Sequence, residues 1–144
     1  MKILIAYDDT NGAKEALKYS LKFKKITDEY IIVYVIPAIV GISASFDSYV
    51  PETVYEGQDK TADEILENAK SVLDNENVHY TTVKIRSEGD EVSKLIADYA
   101  VKNGADMIIT GTRKLHGISK LILGSVSSGI IAHSEIPVLV VPPS

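Results

Sequence analysis

Short runs of unbroken apolar residues alternate along this chain with longer stretches in which apolar positions recur every three or four residues. The first run, Ile3 to Tyr7, reads as a buried strand. Residues 11–25 place Ala13, Ala16, Leu17, Ser20 and Leu21 on one stripe, which predicts an amphipathic helix. Tyr30 to Ile36 is a second apolar strand, stopped by Pro37. Residues 60–74 return to helical spacing through Ala62, Ile65, Leu66, Ala69 and Leu73. Tyr80 to Arg86 alternates instead, with Tyr80, Thr82, Lys84 and Arg86 on one face, and its weaker apolar character suits a sheet edge. Asp90 is placed to cap a helix striped by Val92, Leu95, Ile96, Tyr99 and Ala100, which Asn103-Gly104 ends. Met107 to Thr110 reads as a fourth strand, residues 125 to 133 as a last helix, and Pro137 to Val141 as a fifth strand.

Strands that are apolar throughout must be covered on both faces. Their alternation with helices predicts an α/β domain with a parallel sheet and helices on both sides. The 144 residues are read as a single domain, 1–144, with no internal repeat. Residues 37–57 break the pattern. A non-periodic stretch of this length in a small domain is usually functional or disordered. Its apolar residues Ile39, Val40, Phe46 and Tyr49 suit either a lid that closes over a ligand or a loop packed permanently on the surface.

Charge and composition narrow the function. A net charge of −5 argues against a general nucleic-acid surface and makes a local basic cluster, Arg113, Lys114, His116 and Lys120, stand out. The absence of cysteine excludes disulfides, thiolate metal sites and cysteine nucleophiles, and fits a cytoplasmic location. The N-terminal apolar run is too short for a signal peptide, and no run approaches the ~20 residues of a membrane span. His79, His116 and His133 are scattered, so no metal site is expected from them. There is no G-x4-G-K-[ST], no G-x-G-x-x-G after the first strand and no G-x-S-x-G, which argues against Walker-type NTPases, dinucleotide enzymes and α/β hydrolases.

The segment Gly111 to Gly129, GTRKLHGISKLILGSVSSG, carries the clearest chemistry. It follows a strand, contains Gly111, Gly117 and Gly124, gathers the basic residues, and places Ser125, Ser127 and Ser128 where a helix starts. Small residues admit a ligand close to the backbone, and a helix N-terminus favours an anion. The expected ligand is therefore a phosphate group.

Together these pieces resemble the universal stress protein family. The resemblance rests on ILIAYDDT, VYVIP, GADMIITGT, GSVSS and the terminal IPVLVV, in that order over nearly the whole chain. It implies a doubly wound five-stranded parallel sheet of order 3-2-1-4-5, commonly in a homodimer. One branch of the family binds ATP through G-x2-G-x9-G-[ST]. Gly111, Gly124 and Ser125 match that motif, whereas Lys114 stands at its second glycine and Gly117 lies three residues on. The resemblance further implies that Asp8 meets the ribose or adenine edge and that Val35 offers backbone contacts to the base. The candidate nucleotide-binding set is thus Ala6, Tyr7, Asp8, Val35, Gly111, Thr112, Arg113, Lys114, Gly117, Gly124, Ser125, Val126 and Ser127. The ligand is ATP or AMP, with or without Mg²⁺, for which Asp8 and Asp9 would need the nucleotide's own oxygens. In the implied order Asp8 and Gly111 end adjacent strands at the point where the connection direction reverses, where ligands of open α/β sheets bind.

Two rivals stay open. Lys114 supports a nucleotide-independent interaction module that keeps the fold without the ligand. An adenylyl transferase is opposed by the lack of a His-x-x-His pair or a Ser-Gly-Gly loop. No residue stands out as a catalytic base, so fast hydrolysis is not expected. The uncharged last strand, with Val138, Leu139, Val140 and Val141, would sit bare at the sheet edge and points to a homodimer through it. The protein partner of such a regulator is unknown.

Overall fold

The computed structural model describes residues 1–39, 50–113 and 123–143. Five parallel strands run in the order β3-β2-β1-β4-β5: β1 (Lys2–Ala6), β2 (Glu29–Ile36), β3 (Tyr80–Arg86), β4 (Met107–Gly111) and β5 (Val138–Val141). The helices are α1 (Asn11–Ser20), α2 (Glu52–Asp74), α3 (Val92–Lys102) and α4 (Ser125–His133). This is the doubly wound sheet that the alternation and the resemblance imply.

Successive side chains of a strand point to opposite faces, so each strand feeds two cores. Ile3, Ile5, Tyr30, Ile32 and Ile109 pack under α1 and α2. Leu4, Ile31, Val33, Val35 and Ile108 pack under α3 and α4. The interiors of the central strands β1 and β2 are apolar because neither face meets water, with Lys2 and Glu29 only at their first positions. Tyr30, fully buried, donates its hydroxyl to the Ser20 carbonyl at 3.0 Å. Among the described residues, no buried side-chain polar atom lacks a partner.

Three expected boundaries differ. The first helix ends at Ser20 and continues only as one 3₁₀ turn, Leu21–Phe23. Asp90 is not the cap of α3: it sits in a turn, donating its amide to the Ser87 carbonyl at 2.8 Å, and Glu91 occupies the N-cap. The helix expected at residue 60 begins at Glu52, so the non-periodic stretch is shorter than 37–57; its residues 40–49 lie outside the described ones.

The early turns of α2 escape a hydrophobic reading because polar contacts hold them. Arg86, at the end of β3, donates to the Gln58 side chain at 3.0 Å and the Tyr55 carbonyl at 3.2 Å, pairs with Asp59 at 2.9 Å, and lies 5.2 Å from the Tyr55 ring centroid. Val54 and Tyr55 are themselves exposed. Arg86→Ala is therefore expected to speed amide hydrogen exchange over residues 54–60 by about tenfold, or ~1.4 kcal/mol, while leaving the Ala62–Leu73 half unchanged. Unchanged exchange in the early turns would show that they are held by something else.

Candidate functional site

A crevice of about 420 Å³ opens at the carboxyl ends of β1, β2 and β4. Its position follows from the topology. The chain leaves β1 for α1 on one face of the sheet and leaves β4 for α4 on the other, so the loops after these neighbouring strands diverge and leave a gap. Ala6, Tyr7 and Asp8 line it from β1, Val35 from β2, Gly111, Thr112 and Arg113 from the end of β4, and Gly124, Ser125, Val126 and Ser127 from the start of α4. Residues remote in sequence are thus brought to one cavity. Lys114, His116, Gly117 and Lys120 lie outside the described residues.

Asp8 and Asp9 part company at the end of β1. The exposed Asp8 carboxylate accepts from the Thr10 hydroxyl at 2.5 Å and the Thr10 amide at 3.1 Å, a local turn that leads into α1. Thr10 in turn caps α1, accepting from the Ala13 amide at 3.3 Å. Asp9 has a left-handed backbone, φ 65°, and accepts from the Tyr7 hydroxyl and the Asn68 amide, both at 2.9 Å. The two carboxylates do not form a pair. Among the described residues no group of three or more His, Asp or Glu side chains is gathered for a metal ion.

Burial, then Asp9 as hydrogen-bond acceptor and nearby negative charge, pushes the Tyr7 phenol well above its ordinary pKa. Tyr34, also on the crevice, is raised by burial and by the charge of Asp8. Both phenols stay neutral at physiological pH.

The glycines divide into two kinds. A Cβ on Gly111 would lie 2.2 Å from the Gly12 carbonyl oxygen, and one on Gly12 would lie 2.4 Å from that of Thr112. These two glycines let the first turn of α1 rest on the end of β4. Gly111 is thus small for the sake of a backbone neighbour within the fold. Gly124, by contrast, has nothing within 4 Å of such a Cβ. The glycine inside α4, Gly129, faces Ser93 of α3, whose Oγ would be 2.1 Å from an added Cβ. Helix–helix packing therefore accounts for the weak helix former in SVSSGIIAH.

The start of α4 is the polar end of the crevice. Gly124 is its N-cap and supplies no side-chain cap, so the first amides of the helix have no intrahelical acceptor. Ser127 is buried and donates its hydroxyl to the Gly111 carbonyl at 2.7 Å, tying the helix to β4. Thr112 is also buried, its amide donating to the Val141 carbonyl at 3.1 Å. Ser125 and Arg113 are exposed on the crevice.

The opposite end is apolar with a backbone edge. Val33 accepts from the Tyr7 amide at 2.9 Å, the last bond between β1 and β2 on that side. Strand groups alternate sides with period two, so the amide and carbonyl of Val35 point the same way, beyond the end of β1. Val92 and Ile96 of α3, with Tyr34 and Pro37, complete this end. Sequence reasoning missed these four, together with Thr10, Gly12, Ala13, Val33 and Thr110. Their signal was position along the elements: they lie in the carboxyl-terminal part of β2 or β4, just past a strand end, or in the first turns of α1 and α3.

The family model for the universal stress proteins matches residues 1–142. The chain belongs to the universal stress protein family. Among its relatives, the stress response protein NhaX of Bacillus subtilis is 30% identical over 164 residues, covering 97% of this chain and 96% of its own. Solved universal stress proteins share the fold. One from Arabidopsis thaliana with AMP bound superposes with a TM-score of 0.73 at 16% identity, over 100% of this chain and 92% of its own. One from Archaeoglobus fulgidus in complex with dAMP gives 0.67 at 20% identity, over 97% and 96%. No helix among the described residues is long and apolar enough to cross a membrane.

Proposed function

We propose that this universal stress protein binds an adenine nucleotide, AMP or ATP, in the crevice at the switch point, and acts as a cytoplasmic stress-response regulator whose interactions depend on that ligand. One observation carries the reading: a single cavity joins the uncapped start of α4 to the open backbone edge of Val35. The first suits a phosphate. The second suits the donor–acceptor edge of a base. Between them stand Asp8, within reach of a ribose, and Arg113, a further phosphate contact. The volume falls within the ~300–1,000 Å³ of small-molecule sites. The AMP and dAMP bound by relatives of the same fold support the choice of ligand. Asp8 is engaged by Thr10 and Asp9 is turned away, so the reading is binding without fast hydrolysis, with Mg²⁺ arriving only on ATP.

Calorimetric titration with AMP, Mg-ATP and GTP tests it. The expected result is binding of both adenine nucleotides and weaker binding of GTP. No heat at millimolar AMP or ATP would instead favour the interaction module, the reading that Lys114 at the second motif glycine supports. Lys114→Ala separates the two roles of that lysine. A phosphate contact loses ~1.5–3 kcal/mol for ATP but not for adenosine, whereas a blocking lysine is relieved by Lys114→Gly.

A further inference from the structure

We propose that Asp9 is a positioning residue for the nucleotide crevice, holding the end of β1 so that Asp8 faces the ligand. The inference rests on the nucleotide reading above. Asp9 is not among the residues that line the crevice. It stands instead at a junction of three elements. Its Oδ1 accepts from the Tyr7 hydroxyl at 2.9 Å and lies 3.6 Å from Lys14 Nζ in the first turns of α1. Its Oδ2 accepts from Asn68 Nδ2 of α2 at 2.9 Å.

The backbone explains why this residue controls its neighbour. Asp9 adopts φ 65°, a conformation that costs most residues energy and that aspartate and asparagine tolerate better than others. The sharp turn sends consecutive carboxylates opposite ways, Asp8 toward the crevice and Asp9 toward α2. A turn of this kind needs its surroundings to hold it. The Asp8–Thr10 bonds close the turn locally, and the side-chain contacts of Asp9 anchor it to α1 and α2. Tyr7 depends on the same contact: its ring is buried, and its hydroxyl has Asp9 as its partner. Loss of the Asp9 carboxylate therefore releases the Tyr7 hydroxyl and the tie to α2, leaving Asp8 held by Thr10 alone, while the phosphate end, built from α4, stays untouched.

Glycine and asparagine at position 9 separate the backbone from the side chain. Asp9→Gly keeps the left-handed turn without strain and deletes the carboxylate. Asp9→Asn keeps the turn and a carbonyl acceptor for Tyr7, and Asn68 can meet it by turning its own amide over. The test titrates AMP, adenosine and inorganic phosphate into wild type, Asp9→Gly, Asp9→Asn and Asn68→Ala, with melting curves for each. Asp9→Gly is expected to weaken AMP and adenosine by the same factor, about tenfold, the loss of one charged hydrogen bond. Its phosphate affinity should be unchanged. Asp9→Asn should recover to within about threefold of wild type, and Asn68→Ala should fall between. A merely structural role would lower the melting temperature of Asp9→Gly without this ligand pattern. Wild type that binds AMP as tightly as a folded Asp9→Gly overturns the role of Asp9 alone. An equal loss for phosphate and adenosine also overturns it, because the damage is then general. Wild type that binds no AMP overturns the nucleotide reading and this inference with it.

Discussion

Gly111→Ala is expected to lower the stability of this protein by about 3 kcal/mol, the upper part of the range for overpacking, with a fall in melting temperature of roughly 10 °C for a chain of this size. The added methyl would sit 2.2 Å from the Gly12 carbonyl oxygen and 2.3 Å from its carbon. Both are backbone atoms on the first turn of α1, which is itself capped by Thr10 and seated on the end of β4. No rotamer change relieves such a contact; the helix must move. Gly12→Ala meets the Thr112 carbonyl oxygen at 2.4 Å and is expected to behave alike, offset in part by the ~0.5–1 kcal/mol that alanine gains over glycine within a helix. Gly124→Ala is the contrast. It has open space and an ordinary φ of −67°, so its stability should change by less than about 1 kcal/mol, the modest preference for glycine over alanine at an N-cap. Its effect belongs to the ligand: a methyl at the mouth of α4 should weaken AMP binding. Thermal unfolding of the three variants, each with and without AMP, separates them. Equal melting temperatures for Gly111→Ala and wild type would mean that α1 is free to retreat from β4.

Val140→Lys is expected to convert a homodimer into a monomer, if the bare β5 edge is where two copies meet. Beyond β5 the sheet has no further strand among the described residues. An uncharged edge of this kind is normally covered, and a second copy across a two-fold axis is the simplest cover. Pro137 before it and Pro142 after it confine pairing to about four residues, which favours a closed pair over a growing fibre. The structure distinguishes the four side chains. Val141 is buried in the core beneath α1 and Leu139 packs against that core, while Val138 packs against the opposite one. A lysine at those positions would damage the fold itself. Val140 packs against neither core cluster and is the clean probe. Sedimentation of wild type at micromolar concentration should give about twice 15.7 kDa, and Val140→Lys should give the single mass with a nearly unchanged melting temperature. A wild-type monomer at high concentration sinks the dimer; a dimer indifferent to Val140→Lys moves the interface elsewhere.

What the sequence determined by itself was the layer architecture. The runs at Ile3–Tyr7, Tyr30–Ile36 and Met107–Ile109 are apolar throughout, and at strand length that is the pattern of a strand covered on both faces. The weaker alternation of Tyr80–Arg86 marked an edge, where Lys84 and Arg86 reach out to Asp63 and Asp59 of α2 instead of packing. The glycines and serines after β4 announced a place where something comes close to the backbone. Tertiary structure alone decided what comes close. Gly111 is pressed by Gly12, a partner 99 positions earlier that no local pattern connects to it; Gly129 is pressed by Ser93, and Gly124 is left open. The start of α2 was hidden for a related reason: its first turns are held by Arg86 through polar contacts and leave no apolar stripe to read. Asp8 and Asp9 look alike in sequence, and the left-handed turn at Asp9 gives one to the crevice and the other to α2. Periodicity reports which face of an element is covered, because burial of apolar area repeats with the element. It carries no record of which distant backbone lies against a single residue, and at this site those single contacts assign the roles.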